Sequence, residues 1–392
     1  MKKRIYLDHA ATTYMDPRVK AAMEPYWEKN FGNPSSIYEE GRAAKKAIAG
    51  ARLKVASVIN ARPDEIIFTA GGTESDNLAV FGLARSSVGG RTSHRPSHRP
   101  HIIVSKIEHH AILHPCQALG DFEISYISVD KNGIVGLEEL KNTLKKETIL
   151  VSIMYANNEI GSIQPIAEIA KIIRKHGGKV LFHTDAVQAP PYLDLNVLKL
   201  GVDLMTLNGS KIYGPKGIGC LYKKRNVKLK PILYGGGQEA GLRSGTENVP
   251  AIVGFAAALE LAQKDREKES KRLEKLRNYF VERILKMEPS ARLNGSLENR
   301  LPNNVNISFC GVEGESIVLY LDAKGVACST GSACSSDSLE PSHVIMAIKT
   351  PPKYAHGSVR FTLGKKTIKK DIDYVLKVLP GIIKKLKNIS AI

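Results

Sequence analysis

The sequence predicts an α/β fold in which a mostly parallel sheet forms the centre of a large domain and a smaller α+β domain follows. Two observations lead to this prediction. Between about residues 65 and 222, short apolar runs alternate with helix-like stretches, which is the pattern of βαβ units around a parallel sheet. Towards the C-terminus, single strands and helices follow each other without that regular alternation, which is typical of a smaller α+β unit.

A long helical segment separates the two patterns. From Val249 to about Lys286 the helical pattern runs far longer than an average helix, with apolar residues in its first half and charges in its second. The 392 residues also exceed the usual size of a single core. We therefore predict a large domain at 15–260 and a small domain formed by 1–14 and 261–392, bridged by this segment.

The individual elements are predicted in chain order from apolar runs and helix signals. Asp16 and Pro17 have the residue types of an N-cap and a first helical residue, so a helix should begin there and run to about Asn30. Strands are expected in the runs EIIFTA, HIIVS, EISYISV, TILVSIMYA, KVLFH, DLMTL and GIGCLY. Helices are expected between them at 74–85, 109–119, 137–146 and 165–176. The small domain should contain the strands NNVNISF and SVRFTL and helices at 314–324 and 368–387.

Residues 85–101, RSSVGGRTSHRPSHRPH, fit none of these elements. Gly, Ser, Pro, Arg and His dominate the stretch, which predicts a mobile surface loop. Its histidines are of a metal-ligand type, but they alternate with Pro and Arg and have no fixed ligand geometry. We therefore favour a plain loop over a metal site.

The charge balance raises the question of a nucleic-acid partner. The 57 basic and 39 acidic residues give a formal net charge of +18, which attracts anions. Much of the excess lies in helix-like segments such as KDREKESKRLEKLRN, where a solvated basic surface is the simpler explanation. No recognised nucleic-acid-binding motif accompanies it, so direct nucleic-acid binding is not expected.

Cysteine usage and the N-terminus bear on the cellular compartment. The five cysteines form no C-x-x-C motif and no even framework, which indicates a reducing compartment. The start MKKRIYLDHAATT has too few apolar residues for a signal sequence, and no run approaches the roughly 18 apolar residues of a membrane span. We therefore expect a cytoplasmic protein without a membrane partner.

Two residues at predicted strand ends indicate a pyridoxal phosphate site. Asp185 ends a buried strand in LFHTDAVQ, and Lys211 lies in a Gly-rich turn after another strand, in TLNGSKIYGPKGIG. The carboxyl ends of parallel strands form the ligand-binding edge of an α/β sheet. Pyridoxal phosphate needs a lysine for its Schiff base and an anion facing its pyridinium nitrogen, and this pair provides both.

A phosphate cradle is predicted in TAGGTESDN, residues 69–77. Its glycines lead from a strand into a helix whose first turn offers backbone N–H groups and the Thr73 hydroxyl, an arrangement that binds anions. Such a turn alone is more often only a helix cap, and an isolated lysine such as Lys211 is more often on the surface. The combination with Asp185 in this order favours the cofactor.

A series of short motifs extends over nearly the whole chain: YLDHAATT, FGNPSS, TESDNLA, EHHAIL, ANNEIGSIQP, DAVQ, KIYGPKGIG, GGGQEAGLRSGTENV, LPNNVNISF and STGSACSS. Together they resemble the cysteine desulfurases, which are class-V-aminotransferase-like transferases of fold type I that depend on pyridoxal phosphate. The resemblance implies conversion of L-cysteine to L-alanine, with the sulfur left as a persulfide on an enzyme cysteine. It also implies a homodimer and an iron–sulfur scaffold protein as sulfur acceptor, in iron–sulfur cluster assembly or tRNA thiolation.

The resemblance further implies roles for single residues. Lys211 is the expected Schiff-base lysine, Asp185 faces the pyridinium nitrogen, and His109 stacks on the cofactor ring. Arg360 is expected to hold the substrate carboxylate in a bidentate pair, with Asn158 near both substrate and cofactor. Further cofactor contacts are expected from Gly72, Thr73, Gln188, Asn208 and Ser210, and from Thr246 of the other subunit.

Three of these residues also have simpler explanations. His109 precedes an Ala-Ile-Leu helix start and would serve as a cap, Arg360 as a charge at a strand edge, and Asn158 as a turn former. From the residues alone, these structural roles stay open.

Cys334 lies among small and polar residues in TGSACSSDS. Such residues bury little apolar area, so a mobile loop is expected. The resemblance implies that Cys334 accepts the sulfur, and a role as an iron–sulfur ligand with a scaffold partner stays open. Cys328 is the alternative nucleophile, but GVACS continues an apolar strand, and buried thiols are usually inert.

Two other kinds of function stay open at this point. An aminotransferase or a selenocysteine lyase on the same scaffold would share Lys211 and Asp185, and only the thiol loop separates them, because transamination has no use for a second nucleophile. A non-catalytic basic scaffold protein is the other alternative, and it would have no need of Lys211.

Overall fold

The computed structural model describes residues 4–88, 99–331 and 340–389. In chain order, the strands are β1 (Ile5–Tyr6), β2 (Ile66–Thr69), β3 (His101–Ser105), β4 (Glu123–Ile127), β5 (Thr148–Ser152), β6 (Leu181–Asp185), β7 (Leu204–Asn208), β8 (Gly219–Lys223), β9 (Arg292–Leu293), β10 (Asn304–Ser308), β11 (Val326–Ala327) and β12 (Ser358–Thr362). The α-helices are α1 (Pro17–Met23), α2 (Glu39–Ile59), α3 (Gly72–Val88), α4 (His110–Gln117), α5 (Leu137–Thr143), α6 (Ile166–His176), α7 (Val197–Leu200), α8 (Val249–Met287), α9 (Gly314–Ala323), α10 (His343–Ala347), α11 (Pro352–Ala355) and α12 (Lys369–Ile389). Short 3-10 helices cover Glu24–Tyr26, Pro63–Glu65, Gly209–Lys211 and Glu239–Gly241.

Within the described residues, the largest sheet has seven strands in the order β2-β8-β7-β6-β5-β3-β4. The pairs β3–β4, β3–β5, β5–β6 and β6–β7 are parallel, whereas β8 is antiparallel to β7 and β2. Every residue of β3 is buried, as expected for a parallel strand covered on both faces. The predicted α/β fold with a mostly parallel sheet is confirmed, and the carboxyl ends of β5, β6 and β7 meet at one edge.

Helix α8 contributes to two apolar cores. The larger core is built from side chains between Val19 and Ala262 and includes Phe255 of α8. The second core contains Leu7 and side chains from Leu273 onward, including Phe280 near the other end of α8. The boundaries predicted at 15–260 and 261–392 stay a prediction. A few later residues also pack in the larger core: Val344, Ile345, Ile348 and Ala355.

The smaller unit positions Arg360. It contains the antiparallel sheet β12-β10-β9 and the parallel pair β1–β11, through which the N-terminal segment joins it. In the register of β10 and β12, Arg360 lies opposite Asn306. Every residue of β12 is buried. Arg360 is therefore an interior residue and not a charge at an exposed strand edge.

The predicted strands of the large sheet are all present, whereas the first helix is shorter than expected. Asp16 caps α1 by accepting a hydrogen bond from the Arg18 backbone N–H. The helix was expected to reach Asn30, but α1 ends at Met23 and continues only as a 3-10 turn. Pro25 lies in that turn, and because proline has no backbone N–H it disfavours continuation of the α-helix.

Helix α2 is not among the elements predicted from the sequence. Glu39 and Glu40 begin it, where negative charge favours a helix N-terminus, and Asn60 ends it in the left-handed conformation with a φ of 57°. Its buried face follows helical spacing with mostly small residues, Gly41, Ala44, Ile48, Ala51, Val55, Ala56 and Ile59. The helical spacing of these residues was the sequence signal for α2. Because most of their side chains are small, the hydrophobic pattern was weak.

Both ends of the stretch predicted as a loop at 85–101 belong to regular elements. Helix α3 continues to Val88, and β3 already begins at His101; residues 89–98 lie outside the described residues. In the part of the chain that the structure describes, no helix is long and apolar enough to cross a membrane.

Candidate active site

A cavity of about 300 Å³ lies at the carboxyl edge of the large sheet. Asp185 is the last residue of β6, Asn208 is the last residue of β7, and Lys211 follows in a 3-10 turn. Nine residues predicted for the site line this cavity: Gly72, Thr73, His109, Asn158, Asp185, Gln188, Asn208, Lys211 and Arg360. The fold thus brings together side chains from distant parts of the chain, including β12 of the smaller unit.

Asp185 provides a buried carboxyl group at this edge. It is 6% exposed, and its Oδ1 accepts a hydrogen bond from Val187 N at 2.9 Å. Burial raises the pKa of Asp185 to about 6, although the Val187 hydrogen bond and the charge of Lys211 lower it. Because a buried carboxylate is costly unless it is paired, this position favours a cationic group on a ligand.

Lys211 lies in a turn that side chains hold in place. Its Nζ donates a hydrogen bond to the carbonyl oxygen of Ala11. Asn208 Oδ1 accepts from Ser210 N at 3.2 Å, and Thr13 Oγ1 donates to the Ser210 carbonyl oxygen at 2.9 Å. The amine is thereby held at the cavity wall, where a lysine can react with a carbonyl substrate or cofactor.

His109 has both a structural role and a place in the site. Its Nδ1 accepts a hydrogen bond from Ala111 N at 3.1 Å and so caps α4, while the side chain lines the cavity. Burial and the nearby charge of Lys211 lower the pKa of His109 to about 4. The ring is therefore neutral near pH 7, and because Nδ1 accepts, its proton is on Nε2.

Gln188 and Asn158 each make a hydrogen bond to a distant segment of the chain. Gln188 Nε2 donates to the Ala10 carbonyl oxygen at 3.0 Å. The Asn158 carbonyl oxygen accepts from Arg360 Nη1 at 3.0 Å, which leaves the Asn158 side chain at the cavity wall. Asn158 therefore does more than shape a turn.

A second cavity of about 750 Å³ adjoins the first at the N-terminus of α3. The two share Gly72, Thr73 and Asn208 in their walls, whereas Ser210 lines only the second. A Cβ atom at Gly72 would lie 3.0 Å from Val187 Cγ2, so a side chain would crowd the end of β6. The helix N-terminus and the exposed Thr73 hydroxyl form a place that favours an anion such as phosphate.

Arg360 enters the cavity with its guanidinium already oriented. The residue is 2% exposed, Nη2 donates to Asp8 Oδ1 at 2.7 Å, and Nη1 donates to the Asn158 carbonyl oxygen. Its Nε has no hydrogen-bond partner within the described residues. A buried N–H without a partner is costly, so the site is suited to a ligand that brings an acceptor such as a carboxylate.

Asp76 is a site residue that the sequence did not reveal. It is 1% exposed and lines the same cavity as Asp185. Its Oδ1 lies 3.6 Å from His183 Nε2 and has no hydrogen-bond partner in the described ranges. Burial and the charge of Asp185 raise the pKa of Asp76 well above its usual value. The available signal was its spacing of four residues from Gly72, which places both on one face of α3.

Among the described residues predicted for the site, Thr246 is not brought to either cavity. Its side chain is exposed. Cys334 lies outside the described residues, although Gly331, three positions earlier, lines the smaller cavity. The alternative thiol, Cys328, is 9% exposed, and burial raises its pKa to about 12.

Comparison with known proteins shows similarity over the whole chain. The family model for aminotransferase class V matches residues 5–375. A cysteine desulfurase IscS from Dictyoglomus turgidum is 52% identical over 393 residues, with 100% of this chain and 97% of the relative covered. A cysteine desulfurase IscS from Methanosarcina thermophila is 49% identical over 390 residues, with 99% and 94% covered.

Solved structures give the same result. A NifS-like protein superposes with a TM-score of 0.90 at 35% identity, covering 98% of this chain and 100% of that chain. The fold is therefore that of the fold type I transferases. From the family match, the two relatives and this superposition, the chain belongs to the class-V aminotransferase family and, within it, to the cysteine desulfurases.

Proposed function

We propose that this protein removes the sulfur from L-cysteine, releases L-alanine and retains the sulfur as a persulfide on Cys334. The observation that carries the proposal is the single cavity in which Asp185, Lys211 and His109 meet Arg360. In the overall reaction the C–S bond of the substrate breaks, an S–S bond forms at the enzyme thiol, and the substrate carbon gains a hydrogen. L-cysteine and an enzyme thiol thus give L-alanine and an enzyme persulfide.

Pyridoxal 5'-phosphate fits the residues of this site. The buried Asp185 carboxyl suits a pyridinium nitrogen, Lys211 suits the aldehyde carbon, and the start of α3 with Gly72 and Thr73 suits the phosphate. Gln188, Asn208 and Ser210 would complete the set on the described protomer. When bound, the cofactor supplies an electron sink for bond cleavage at the substrate amino acid.

The protein's own groups have separate roles in this proposal. Arg360 binds the substrate carboxylate through a neighbouring N–H and through Nε, which has no partner within the described part of the chain. The Lys211 amine would accept and return protons at the substrate carbon. His109 is neutral and has its proton on Nε2, so it contributes a ring face and a hydrogen-bond donor without adding positive charge.

The thiol of Cys334 is proposed as the nucleophile on chemical grounds. Among the described cysteines, Cys116, Cys220 and Cys328 are buried, and burial raises the pKa of each, whereas Cys310 is half-buried and lines neither cavity. A thiolate, not a thiol, attacks sulfur, so these three are poor candidates. The sequence around Cys334 contains no large apolar residue that would bury it.

The quaternary structure, partners and location are further parts of the proposal. We place Thr246 in the site of the partner subunit of a homodimer, because its exposed side chain lines neither cavity of its own protomer. An iron–sulfur scaffold protein is proposed as the sulfur acceptor, with ligation of a cluster by Cys334 left as an additional role. A cytoplasmic location is proposed from the cysteine usage.

The experiment that tests the function is a product assay with L-cysteine. The purified protein loaded with pyridoxal phosphate is expected to produce L-alanine and persulfide sulfur in equal amounts during a first turnover. Formation of a keto acid instead would identify an aminotransferase. Turnover of selenocysteine without turnover of cysteine would identify a selenocysteine lyase.

A further inference from the structure

The turn that follows β5 is held rigidly by side-chain hydrogen bonds. Asn157 Oδ1 accepts from the backbone N–H groups of Glu159 and Ile160, both at 2.9 Å, and Asn157 Nδ2 donates to the Ile107 carbonyl oxygen at 3.0 Å. The Glu159 carbonyl oxygen in turn accepts from Asn304 at 2.9 Å and Asn306 at 3.1 Å. The position of the Glu159 backbone is therefore set independently of its side chain.

The Glu159 carboxylate lies between the two ends of the segment that carries Cys334. Glu159 is 4% exposed, and its Oε2 accepts a hydrogen bond from Ser342 Oγ at 2.5 Å. On the other side is Gly331, where an added Cβ would lie 2.9 Å from the same Oε2. Gly331 also has a φ of 98°, a conformation that favours glycine.

Ser342 and Gly331 are each hydrogen-bonded to neighbouring residues, and on the Gly331 side these bonds lead to Arg360. The Ser342 hydroxyl accepts from Val344 N at 3.1 Å and caps α10. The Gly331 N–H donates to Ser329 Oγ at 3.1 Å, and Ser329 pairs through its backbone with Arg360. The neighbouring Asn158 carbonyl oxygen holds Arg360 Nη1. One turn thus contacts both the arginine and the ends of the thiol-bearing segment.

We propose that Glu159 is a positioning residue that fixes both ends of the Cys334 segment relative to Arg360. This inference rests on the proposed function, because it assigns Arg360 to the substrate and Cys334 to the sulfur. The arginine that holds the substrate carboxylate and the residues that flank the Cys334 segment, Gly331 and Ser342, would then be positioned by the same turn. Correct placement of two reacting groups increases the reaction rate by a large factor.

The anchoring role also explains why the Glu159 carboxyl group is buried although Glu159 does not itself line the 300 Å³ cavity. Burial raises the pKa of Glu159, whereas the Ser342 hydrogen bond and the charges of His343 and Arg360 lower it. A buried carboxyl group costs stability unless it is compensated. The Ser342 hydrogen bond and the proximity to Gly331 account for the Glu159 carboxyl group at this position.

The test compares Glu159→Ala, Glu159→Gln and Ser342→Ala with Glu138→Ala as a control. Glu138 is a surface residue of α5 whose only described ion pair is with Lys141. Each variant is loaded with pyridoxal phosphate, and three quantities are measured: cofactor content, the absorbance change on adding L-cysteine, and the first-turnover rate of persulfide formation on Cys334 by peptide mass spectrometry.

For Glu159→Ala we expect persulfide formation to be about 100-fold slower, because a small displacement of a reacting group has an effect of this size. Cofactor content and the absorbance change on adding L-cysteine should be retained. Glu159→Gln should stay near the wild-type rate because its amide oxygen still accepts from Ser342. Ser342→Ala, which leaves the carboxylate in place, should be intermediate. The control should be unchanged.

Two results would overturn the proposal. One is a wild-type rate of persulfide formation in both Glu159→Ala and Ser342→Ala. The other is an equal loss of cofactor, cysteine binding and persulfide formation, which would make Glu159 a general structural residue. If the wild type itself formed no persulfide, the proposed function would fail. The rate at which iodoacetamide modifies Cys334 would then test the role of Glu159. Faster modification in Glu159→Ala than in the wild type would support the positioning role. Equal rates would overturn it.

Discussion

The charge of Lys211 lowers the pKa of Asp185, but the larger and opposite effect of burial leaves that pKa at about 6. Both side chains line the same cavity. Asp185 is therefore a group whose ionised form is costly in the cofactor-free protein. The charge becomes useful only when a cationic ligand group lies beside it, which is the usual relation between function and stability at a ligand site.

We predict that Asp185→Asn stabilises the cofactor-free protein while weakening cofactor binding. The folded pKa is about 6 against an ordinary value of 3.8, so the folded state binds more protons and stability falls as pH rises between these values. At about pH 7.5 the variant should gain up to about 3 kcal/mol in unfolding free energy. The gain should disappear towards pH 4, where the wild-type carboxyl group is protonated.

Urea unfolding at several pH values measures this effect. Asp121→Asn is a suitable control because Asp121 is exposed, and its unfolding free energy should change little. A variant at position 185 that is less stable than the wild type at pH 7.5 would show that the buried carboxylate is stabilised by groups within the apoprotein.

We predict that Arg360→Lys raises KM for L-cysteine with little change in cofactor content. The ammonium group of lysine cannot reproduce the fixed fork of the guanidinium, and losing a hydrogen bond to a charged group costs about 1.5–3 kcal/mol. KM should therefore rise roughly 10- to 100-fold. Steady-state kinetics measure this, with Arg62→Lys as an exposed control. An unchanged KM would remove Arg360 from the substrate site.

We predict that Lys211→Ala abolishes the covalent link that borohydride traps between the protein and pyridoxal phosphate. The wild-type protein should be yellow and carry the reduced cofactor on the peptide containing Lys211. Lys171→Ala is a control, because Lys171 is exposed on α6 and lines neither cavity, and it should retain the link. A trapped cofactor in the Lys211→Ala protein would refute the assignment.

The strand ends of the site were predictable from the sequence because they depend on local patterns. Apolar runs locate β6 and β7. Asp185 ends β6 and Lys211 follows β7, so in a parallel arrangement both must lie at one sheet edge. His109 could be assigned only through the family resemblance, since a helix cap and a ring in the site leave the same local pattern.

The unpredicted residues depend on packing between distant segments. Asp8 meets Arg360 only because β1 pairs with β11 and the isolated bridge of Asp8 with Thr362 brings the N-terminus beside β12. Glu159 approaches Ser342 across 183 positions of sequence. No periodicity within either segment records such contacts, so the pairs become visible only in three dimensions.

We predict a homodimer in which Thr246 completes the site of the other protomer. Thr246→Ala should weaken cofactor binding roughly 10- to 100-fold if it donates to the phosphate. Mixed dimers of Thr246→Ala and Lys211→Ala should contain one intact site, because that site takes Lys211 and Thr246 from different chains. Sedimentation and cofactor titration test both points. A monomer with full cofactor and activity would contradict the arrangement.

We predict that Cys334, and not Cys328, carries the sulfur. Cys328 follows directly after β11, is 9% exposed and has a pKa raised to about 12 by burial, so almost none of it is thiolate near pH 7.5. Cys334→Ser should therefore lose the persulfide and turnover of L-cysteine, while Cys328→Ser keeps both near the wild-type level. Mass spectrometry of the protein after one turnover detects the single added sulfur. The assignment would be wrong if Cys334→Ser still gained that sulfur at the normal rate and Cys328→Ser did not, because the nucleophile would then lie six residues upstream.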